Sequence, residues 1–211
     1  MGKDMKENGT TDLRIAVLAL QGAFIEHERM LNSLGAQVFE VRNRADWEQP
    51  KDGLVIPGGE STTMKKLLNE LGLFNPIRQA IQNGLPVFGT CAGLILLSPM
   101  GFGTMDIDVV RNGYGRQLGS FFTEAPFTFP HPNQPEDEWL AEKVPMTFIR
   151  APYINKVLSG KCEPLAVVDG HIVAARQGCQ LATAFHPELD SDRRVHEYFL
   201  RMAAQSRPSS L

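Results

Sequence analysis

Cysteines and long apolar runs are both scarce in this sequence. The first shortage argues against a disulfide-rich protein, and the second argues against a membrane-spanning one. Its 211 residues include three cysteines, Cys91, Cys162 and Cys179, without CxxC spacing. This odd, scattered set favours reduced thiols in a reducing compartment over a disulfide framework. No stretch approaches the length of a membrane span, and the polar N-terminus lacks the apolar core of a signal peptide. We therefore expect a cytoplasmic protein.

Charge of one sign and clustered metal ligands are also lacking. The formal net charge is -3, the pI is about 6.0, and no run of lysine or arginine occurs, so neither nucleic acid nor an anionic membrane is an expected partner. His27, His131, His171 and His196 have no histidine, cysteine or carboxylate at metal-ligand spacing. The sequence therefore predicts no metal site.

What the sequence does contain is enough apolar residues for one core. Hydrophobic residues make up 43% of the chain and charged residues 21%, which is typical of a single compact domain. Residues 1–12 and 206–211 lack periodic apolar positions, so we expect flexible tails there. The ordered domain is predicted to span residues 13–205.

The order of apolar runs and amphipathic segments predicts an α/β fold. Strands followed by helices indicate parallel pairing: the strands are expected at 13–20, 38–41, 54–56 and 86–90, and the helices at 23–34, 61–71, 76–82 and 92–97. Later strands follow one another, at 144–149, 165–168, 172–176 and 181–185, before a last helix at 192–204. We expect three layers, with a mostly parallel central sheet flanked by helices, as in flavodoxin-like folds. Residues 99–139 allow short strands, an exposed loop or a partner surface.

A candidate nucleophile lies between a predicted strand and a predicted helix. Gly89-Thr90-Cys91-Ala92-Gly93 has the G-x-C-x-G form of a nucleophile elbow, whose glycines permit a sharp turn that exposes the central residue. The N-terminus of the following helix favours thiolate, and the Ala92 N–H can donate to an oxyanion. The alternative is a buried, inert cysteine. The elbow favours the nucleophile.

A base and its orienting group follow the last predicted strand. In His186-Pro187-Glu188, the histidine can exchange protons with a thiol while the glutamate holds the ring. This needs a bend at Pro187, because the two residues are so close in sequence. The alternative is a surface histidine beside an ordinary acid.

The segment Pro57 to Thr62 follows another strand and opens a helix. Its sequence, PGGEST, lacks the Gly-Lys-Ser/Thr of a phosphate-binding Walker loop. The Gly59 N–H could serve as a second oxyanion donor; a plain helix-capping turn is the alternative.

Taken together, these segments resemble class I glutamine amidotransferases, and among them the glutaminase subunits of pyridoxal 5'-phosphate synthase. The similarity runs over nearly all of residues 13–203. It rests on six strings: Leu20 to Gly22, Pro57 to Thr62, Gly89 to Leu97, Arg111-Asn112, Phe148 to Pro152 and Phe185 to Leu189.

The resemblance implies a role for each matching residue. Cys91 would be the nucleophile, His186 the acid and base, and Glu188 its orienter. Gly59 and Ala92 would form the oxyanion hole. The glutamine-binding positions would be Gly59, Glu60, Ser61, Arg111, Ile149 and Arg150. An arginine suits this role because it grips a carboxylate with paired hydrogen bonds.

The resemblance also implies a partner and no cofactor. Ammonia cut from L-glutamine would pass to a separate synthase subunit, a (β/α)8 barrel that builds pyridoxal 5'-phosphate from a pentose phosphate and a triose phosphate. Gln21 and Gly22, at the end of the first strand, are expected on the same sheet edge as Cys91, where they could sense that partner.

One departure and several rivals remain at this stage. The segment between Leu97 and Arg111 is shorter than is usual in the family, so either a loop is trimmed or residues are missing, and the position of Arg111 is less secure. Rival functions are the glutaminase of another synthase, such as imidazole glycerol phosphate synthase, a cysteine hydrolase acting on peptides, and a regulatory subunit with an inactive site. The intact triad opposes the last of these.

Overall fold

The computed structural model describes residues 12–114, 119–131, 135 and 140–207. Of the two predicted tails, only Asp12, Ser206 and Arg207 fall within these ranges. Arg207 is held there, because its guanidinium donates to both oxygens of Asp52, over 2.8 and 2.6 Å. The rest of both tails lies outside the described residues, and their flexibility stays a prediction.

Eleven strands and six helices are present in the described ranges. The strands are β1 Arg14–Leu18, β2 Gln37–Val41, β3 Gly53–Ile56, β4 Val87–Thr90, β5 Ile107–Val110, β6 Ser120–Phe129, β7 Leu140–Ile149, β8 Tyr153–Val157, β9 Cys162–Val168, β10 His171–Gln177 and β11 Gln180–Thr183. The helices are α1 Phe24–Ser33, α2 Arg44–Trp47, α3 Ser61–Glu70, α4 Phe74–Gln82, α5 Ala92–Leu97 and α6 Arg194–Gln205. None of these helices is long and apolar enough to cross a bilayer.

The first four strands and β11 form a parallel sheet with helices on both faces. Its strand order is β2-β1-β3-β4-β11, with every neighbouring pair parallel. Successive residues of β4 point to opposite faces: Phe88 packs on Phe199 of α6, whereas Gly89 lies against Gly93 of α5. Because both faces are covered, β3, β4 and β11 are buried throughout. The α/β class, with a central sheet flanked by helices, is confirmed.

An antiparallel extension continues the same sheet beyond β11. The order runs β11-β10-β9-β6-β7, while β8 pairs with both β10 and β5. Asp169 and Gly170 join β9 to β10 with φ angles of 51° and 78°, as a two-residue hairpin turn requires. Strands β6 and β7 pair from Ser120↔Ile149 to Phe129↔Leu140. Within the described residues, the segment 99–139, for which the sequence allows short strands, an exposed loop or a partner surface, therefore contains β5 and β6.

The short segment after α5 closes into a compact turn. The Leu97 carbonyl accepts from the N–H groups of Thr104 and Met105, both at 3.0 Å. Phe102 and Met105 are buried, each 1% exposed. This turn leads directly into β5, whose last residue precedes Arg111.

Candidate active site

Four chain segments meet at the carboxyl edge of the parallel sheet. Because β1, β3, β4 and β11 run in the same direction, the residues that follow them gather at one edge. These residues are Gln21-Gly22 after β1, Gly58-Gly59 after β3, Cys91 after β4 and His186 after β11.

Cys91 occupies a sharp turn between β4 and α5. Its φ is 48°, a left-handed value that is costly for a side chain other than glycine and is found where function fixes the backbone. The flanking glycines are both required, because a Cβ on Gly89 would lie 2.7 Å from the Gly93 carbonyl carbon and one on Gly93 would lie 2.1 Å from the Ile56 oxygen. The structure therefore places Cys91 in the predicted elbow.

His186 and Glu188 form a hydrogen-bonded pair next to Cys91. The His186 Nδ1 lies 2.7 Å from Glu188 Oε1, and Pro187–Leu189 form the 3-10 turn that brings the two side chains together. With Nδ1 engaged, Nε2 remains to act on the thiol. The ring is adjacent to Cys91, because a Cβ on Gly58 would lie 2.2 Å from His186 Cε1 and 3.3 Å from Cys91 Cβ.

The surroundings of His186 favour its charged form. Burial opposes the charge, but hydrogen bonds and negative charge from Cys91 and Glu188 outweigh it and raise the pKa of His186 above its usual range. Burial, the main cause, raises the pKa of Cys162 to about 11 and also raises the pKa of Cys179, so both stay protonated and unreactive at neutral pH.

The Gly58-Gly59 turn is packed against the end of β1. The Gln21 side-chain oxygen accepts from the Glu60 N–H over 2.7 Å, and a Cβ on Gly59 would lie 2.6 Å from that oxygen. Gly22, with φ of 94°, leaves room for the Gly58 carbonyl, which a Cβ would approach to 1.7 Å. Gln21 therefore touches the turn expected to donate to an oxyanion.

Glu60 and Arg111 form an ion pair at the rim of the site. Arg111 Nη2 lies 3.2 Å from Glu60 Oε1 and 3.3 Å from Thr62 Oγ1. Glu60 also caps α3, and the N–H groups of Thr63 and Thr62 lower its pKa to about 2. Fixed charges of both signs thus stand at the entrance, as an amino acid's ammonium and carboxylate require.

These groups line a single cavity of about 420 Å³. Its walls are Gln21, Gly22, Ala23, Gly58, Gly59, Glu60, Ser61, Cys91, Ile95, Arg111, Asn112, Ile149, Arg150, Pro152 and His186. Of the predicted site residues, Glu188 and Ala92 are buried and do not line the cavity, and Glu188 lies behind His186. All others line the cavity itself, and its size suits a small amino acid.

A family model for the SNO glutamine amidotransferase family matches residues 17–205. That range includes every residue of the cavity. This chain belongs to the SNO glutamine amidotransferase family.

Relatives of this amidotransferase carry a specific name. A protein of Methanocorpusculum labreanum called pyridoxal 5'-phosphate synthase subunit PdxT is 55% identical over 199 residues, covering 91% of this chain and 98% of the relative. A protein of the same name from Streptococcus pneumoniae is 49% identical over 205 residues, covering 92% and 100%.

Solved structures agree with the amidotransferase fold. A crystal structure of a glutamine amidotransferase superposes with a TM-score of 0.78 and 38% identity, covering 90% of this chain and 98% of that one. A putative GMP synthase subunit from Thermoplasma acidophilum reaches a TM-score of 0.62 at 18% identity, covering 92% and 94%. The second match shows the fold alone.

Sequence reasoning missed part of the amidotransferase site. Ile95 lines the cavity. It could have been found from the sequence, because it lies four residues after Cys91 and residues four apart share a helix face. His27 lies 3.4 Å from Glu188 and 2.9 Å from His196, although the two histidines are 169 residues apart. No local spacing indicates such a pair. The described residues hold no group of three or more metal-ligating side chains, and the absence of a metal stays a prediction.

Proposed function

We propose that this chain is the glutaminase subunit of a pyridoxal 5'-phosphate synthase and that Cys91, His186 and Glu188 carry out its hydrolysis of L-glutamine to glutamate and ammonia. The observation that carries this proposal is the assembly of the three residues at one edge of the sheet: Cys91 and His186 line an amino-acid-sized cavity, and Glu188 is hydrogen-bonded to His186 from behind. The names of the relatives supply the synthase.

The first half of the reaction forms a thioester. The Cys91 thiolate attacks the side-chain amide carbon of glutamine, and the carbonyl oxygen takes the negative charge within reach of the Gly59 and Ala92 N–H groups. His186 then gives a proton to the amide nitrogen as the C–N bond breaks. Ammonia leaves, and a γ-glutamyl thioester remains on Cys91.

The second half returns the enzyme to its starting state. His186 takes a proton from water, the resulting hydroxide attacks the thioester carbon, and the C–S bond breaks. Glutamate departs and the thiolate is restored. Glu188 keeps the ring orientated throughout and offsets its positive charge.

Substrate recognition falls to the charged rim and the opposite wall. Glu60 suits the α-ammonium of glutamine, and Arg111 and Arg150 suit its α-carboxylate. Ser61 and Ile149 complete the pocket. A residue inside a peptide has neither free group, which argues against the rival function of a peptide hydrolase.

The partner subunit would control the Gly58-Gly59 turn, which carries the Gly59 N–H expected to donate to the oxyanion. Two adjacent glycines allow the Gly58-Gly59 peptide to turn its N–H toward or away from the substrate. Gln21, which is bonded to the Glu60 N–H, and Gly22 link that turn to the surface at the end of β1. We place the domain at residues 13–205, in the cytoplasm, and take the partner to be a (β/α)8 synthase that needs the ammonia.

The test is steady-state glutamate release at saturating glutamine, with and without the synthase subunit. We expect kcat to rise about a hundredfold on mixing, because one oxyanion donor is worth roughly 3 kcal/mol. Cys91→Ala is the blank, and the cyclase subunit of imidazole glycerol phosphate synthase is the mismatched partner, which should not activate. Equal kcat with and without the synthase subunit would contradict control by the partner. If the cyclase activated this chain and the pyridoxal 5'-phosphate synthase subunit did not, the assignment to pyridoxal 5'-phosphate synthase would be wrong.

A further inference from the structure

Two buried histidines lie directly behind the catalytic carboxylate. His27 on α1 and His196 on α6 are both 0% exposed. His27 Nδ1 is 2.9 Å from His196 Nε2, and His27 Nε2 is 3.1 Å from Thr90 Oγ1 and 3.4 Å from Glu188 Oε2. We call His27 and His196 the buried histidine pair. The hydrolysis mechanism above does not use either of them.

Both rings of the buried histidine pair are neutral. Burial is the main cause that lowers the pKa of each, and for His196 it does so to about 3. A neutral imidazole carries one N–H and one bare nitrogen. In the contact between the rings, one nitrogen therefore donates and the other accepts. The other contacts of the two rings decide whether His27 Nδ1 or His196 Nε2 is the donor.

Two independent observations give the same proton positions. An ionised Glu188 Oε2 can only accept, and the Thr90 hydroxyl oxygen, 3.1 Å from His27 Nε2, can accept as well as donate, so a hydrogen on Nε2 suits both neighbours. His27 Nδ1 then accepts, and His196 donates through its own Nε2. At the far end, His196 Nδ1 is buried and has no hydrogen-bond partner within the described residues. That position suits a bare nitrogen better than an orphaned N–H.

In the part of the chain that the structure describes, one carboxylate oxygen of Glu188 is buried without a hydrogen bond, and the His27 N–H lies close to it. His186 serves Oε1, whereas Oε2 is buried and makes no regular hydrogen bond among the described residues. Burial, the largest effect, raises the pKa of Glu188 despite the bond from His186. At 3.4 Å the His27 contact is longer than a standard hydrogen bond. The Nε2–H donates its hydrogen bond to Thr90 Oγ1 at 3.1 Å and acts on the bare oxygen as a nearby dipole held in place by that bond.

We infer that His27 is a positioning residue for glutamine hydrolysis: its Nε2–H, fixed in that tautomer by His196, keeps Glu188 ionised and aimed at His186. This inference rests on the proposed function. His27 acts through Glu188 and touches no reacting atom.

The charged and titratable neighbours of His27 are few. Glu188 faces it from the 3-10 turn, His186 from the residue before that turn, and His196 from α6. Glu26 on α1 adds a smaller negative influence on Glu188. The Phe88 ring packs edge-on against His27, with centroids 5.9 Å apart, and keeps water from the pair.

The test compares His27→Leu, which removes the N–H at similar volume, with His27→Gln, whose amide returns an N–H near the same place. Glutamate release by each full-length variant with the synthase subunit is measured across pH. The rate of Cys91 alkylation by iodoacetamide is measured in parallel. His171→Leu is the matched control, since His171 stacks on Tyr153 in the antiparallel extension.

We expect His27→Leu to lower kcat about tenfold with an unchanged KM for glutamine. Loss of the donor raises the pKa of Glu188, so the acid limb of both pH profiles should move upward by about one unit. His27→Gln should restore most of both effects. In a Glu188→Gln background, His27→Leu should cost nothing further, because the two residues act as one unit.

An unshifted acid limb in a folded His27→Leu protein, or full additivity with Glu188→Gln, would overturn the inference. Should His27→Leu fail to fold, His196→Leu gives the same decision: it frees the His27 tautomer and should shift the limb in the same direction by less. A wild-type chain that releases no glutamate would defeat the proposed function, whereas the alkylation profiles would still decide the role of His27.

Discussion

The parallel and antiparallel halves of the sheet divide the work of the site between them. Cys91, His186 and the Gly58-Gly59 turn all follow parallel strands. Arg111 and Arg150 follow β5 and β7 in the antiparallel extension. Reactive groups thus come from one half, and the charged wall of the substrate pocket comes largely from the other.

The two halves also differ in burial. Strands β3, β4 and β11 are buried at every position, whereas β6 and β7 have mostly exposed or half-buried residues. A strand packed on both faces cannot shift without opening the core, so it fixes its terminal residue closely. We conclude that bond-making groups need the rigid half, whereas substrate-gripping groups tolerate the more exposed one.

The largest expected effect lies in the rigid half. Cys91→Ala should lower glutamate release by about four orders of magnitude or more, because the thiolate is a covalent participant. Cys162→Ala, in the extension, is the matched control and should keep near-normal turnover. An electrophilic glutamine analogue followed by peptide mapping should label Cys91 alone. Label found mainly on Cys162 or Cys179 would reverse the assignment.

A second comparison stays within the rigid half. His186→Asn should be nearly as damaging as Cys91→Ala, since it removes the proton carrier. Glu188→Gln should be about a hundredfold milder, because it disturbs orientation only. Both are read from kcat with the synthase subunit present. If Glu188→Gln proved the worse of the two, the roles assigned to them would have to change.

A smaller effect of a different kind is expected in the extension. Arg111→Ala should raise the KM for glutamine about tenfold to a hundredfold and change kcat little, because a charge-assisted hydrogen bond to the substrate is lost. Arg193→Ala is the control, since that side chain is exposed at the residue before α6. A fall in kcat at constant KM would mean that the extension also takes part in the chemistry.

The same division explains what the sequence could predict. Continuous apolar runs mark doubly covered strands, so the strand ends at which Cys91 and His186 lie could be located from the pattern, while the roles of the two residues stay predictions. In contrast, β8 at Tyr153–Val157 buries only Ile154 and carries no apolar run. Helix α2 has four residues, too few to show a helical period. The contact between His27 and Glu188 joins distant segments, and only tertiary packing creates it.

The smallest expected effect is on stability. It concerns Asp52, which precedes β3 at the edge of the parallel sheet opposite the active site. Asp52 accepts from the Arg14 N–H at 2.7 Å and from Arg207, and Arg207, the main cause, lowers the pKa of Asp52. A lowered folded-state pKa stabilises the fold above the unfolded value, near 3.9, and this stabilisation disappears as pH falls through the folded value. Asp52→Asn should therefore lower the free energy of unfolding by about 1 kcal/mol at pH 7 and by progressively less below pH 4, as measured by urea unfolding.

Glu142→Gln, which breaks a more exposed ion pair with Arg194 in the extension, should lower the free energy of unfolding by less at every pH. A larger loss from Glu142→Gln would mean that the extension, rather than the parallel core, limits the stability of the domain.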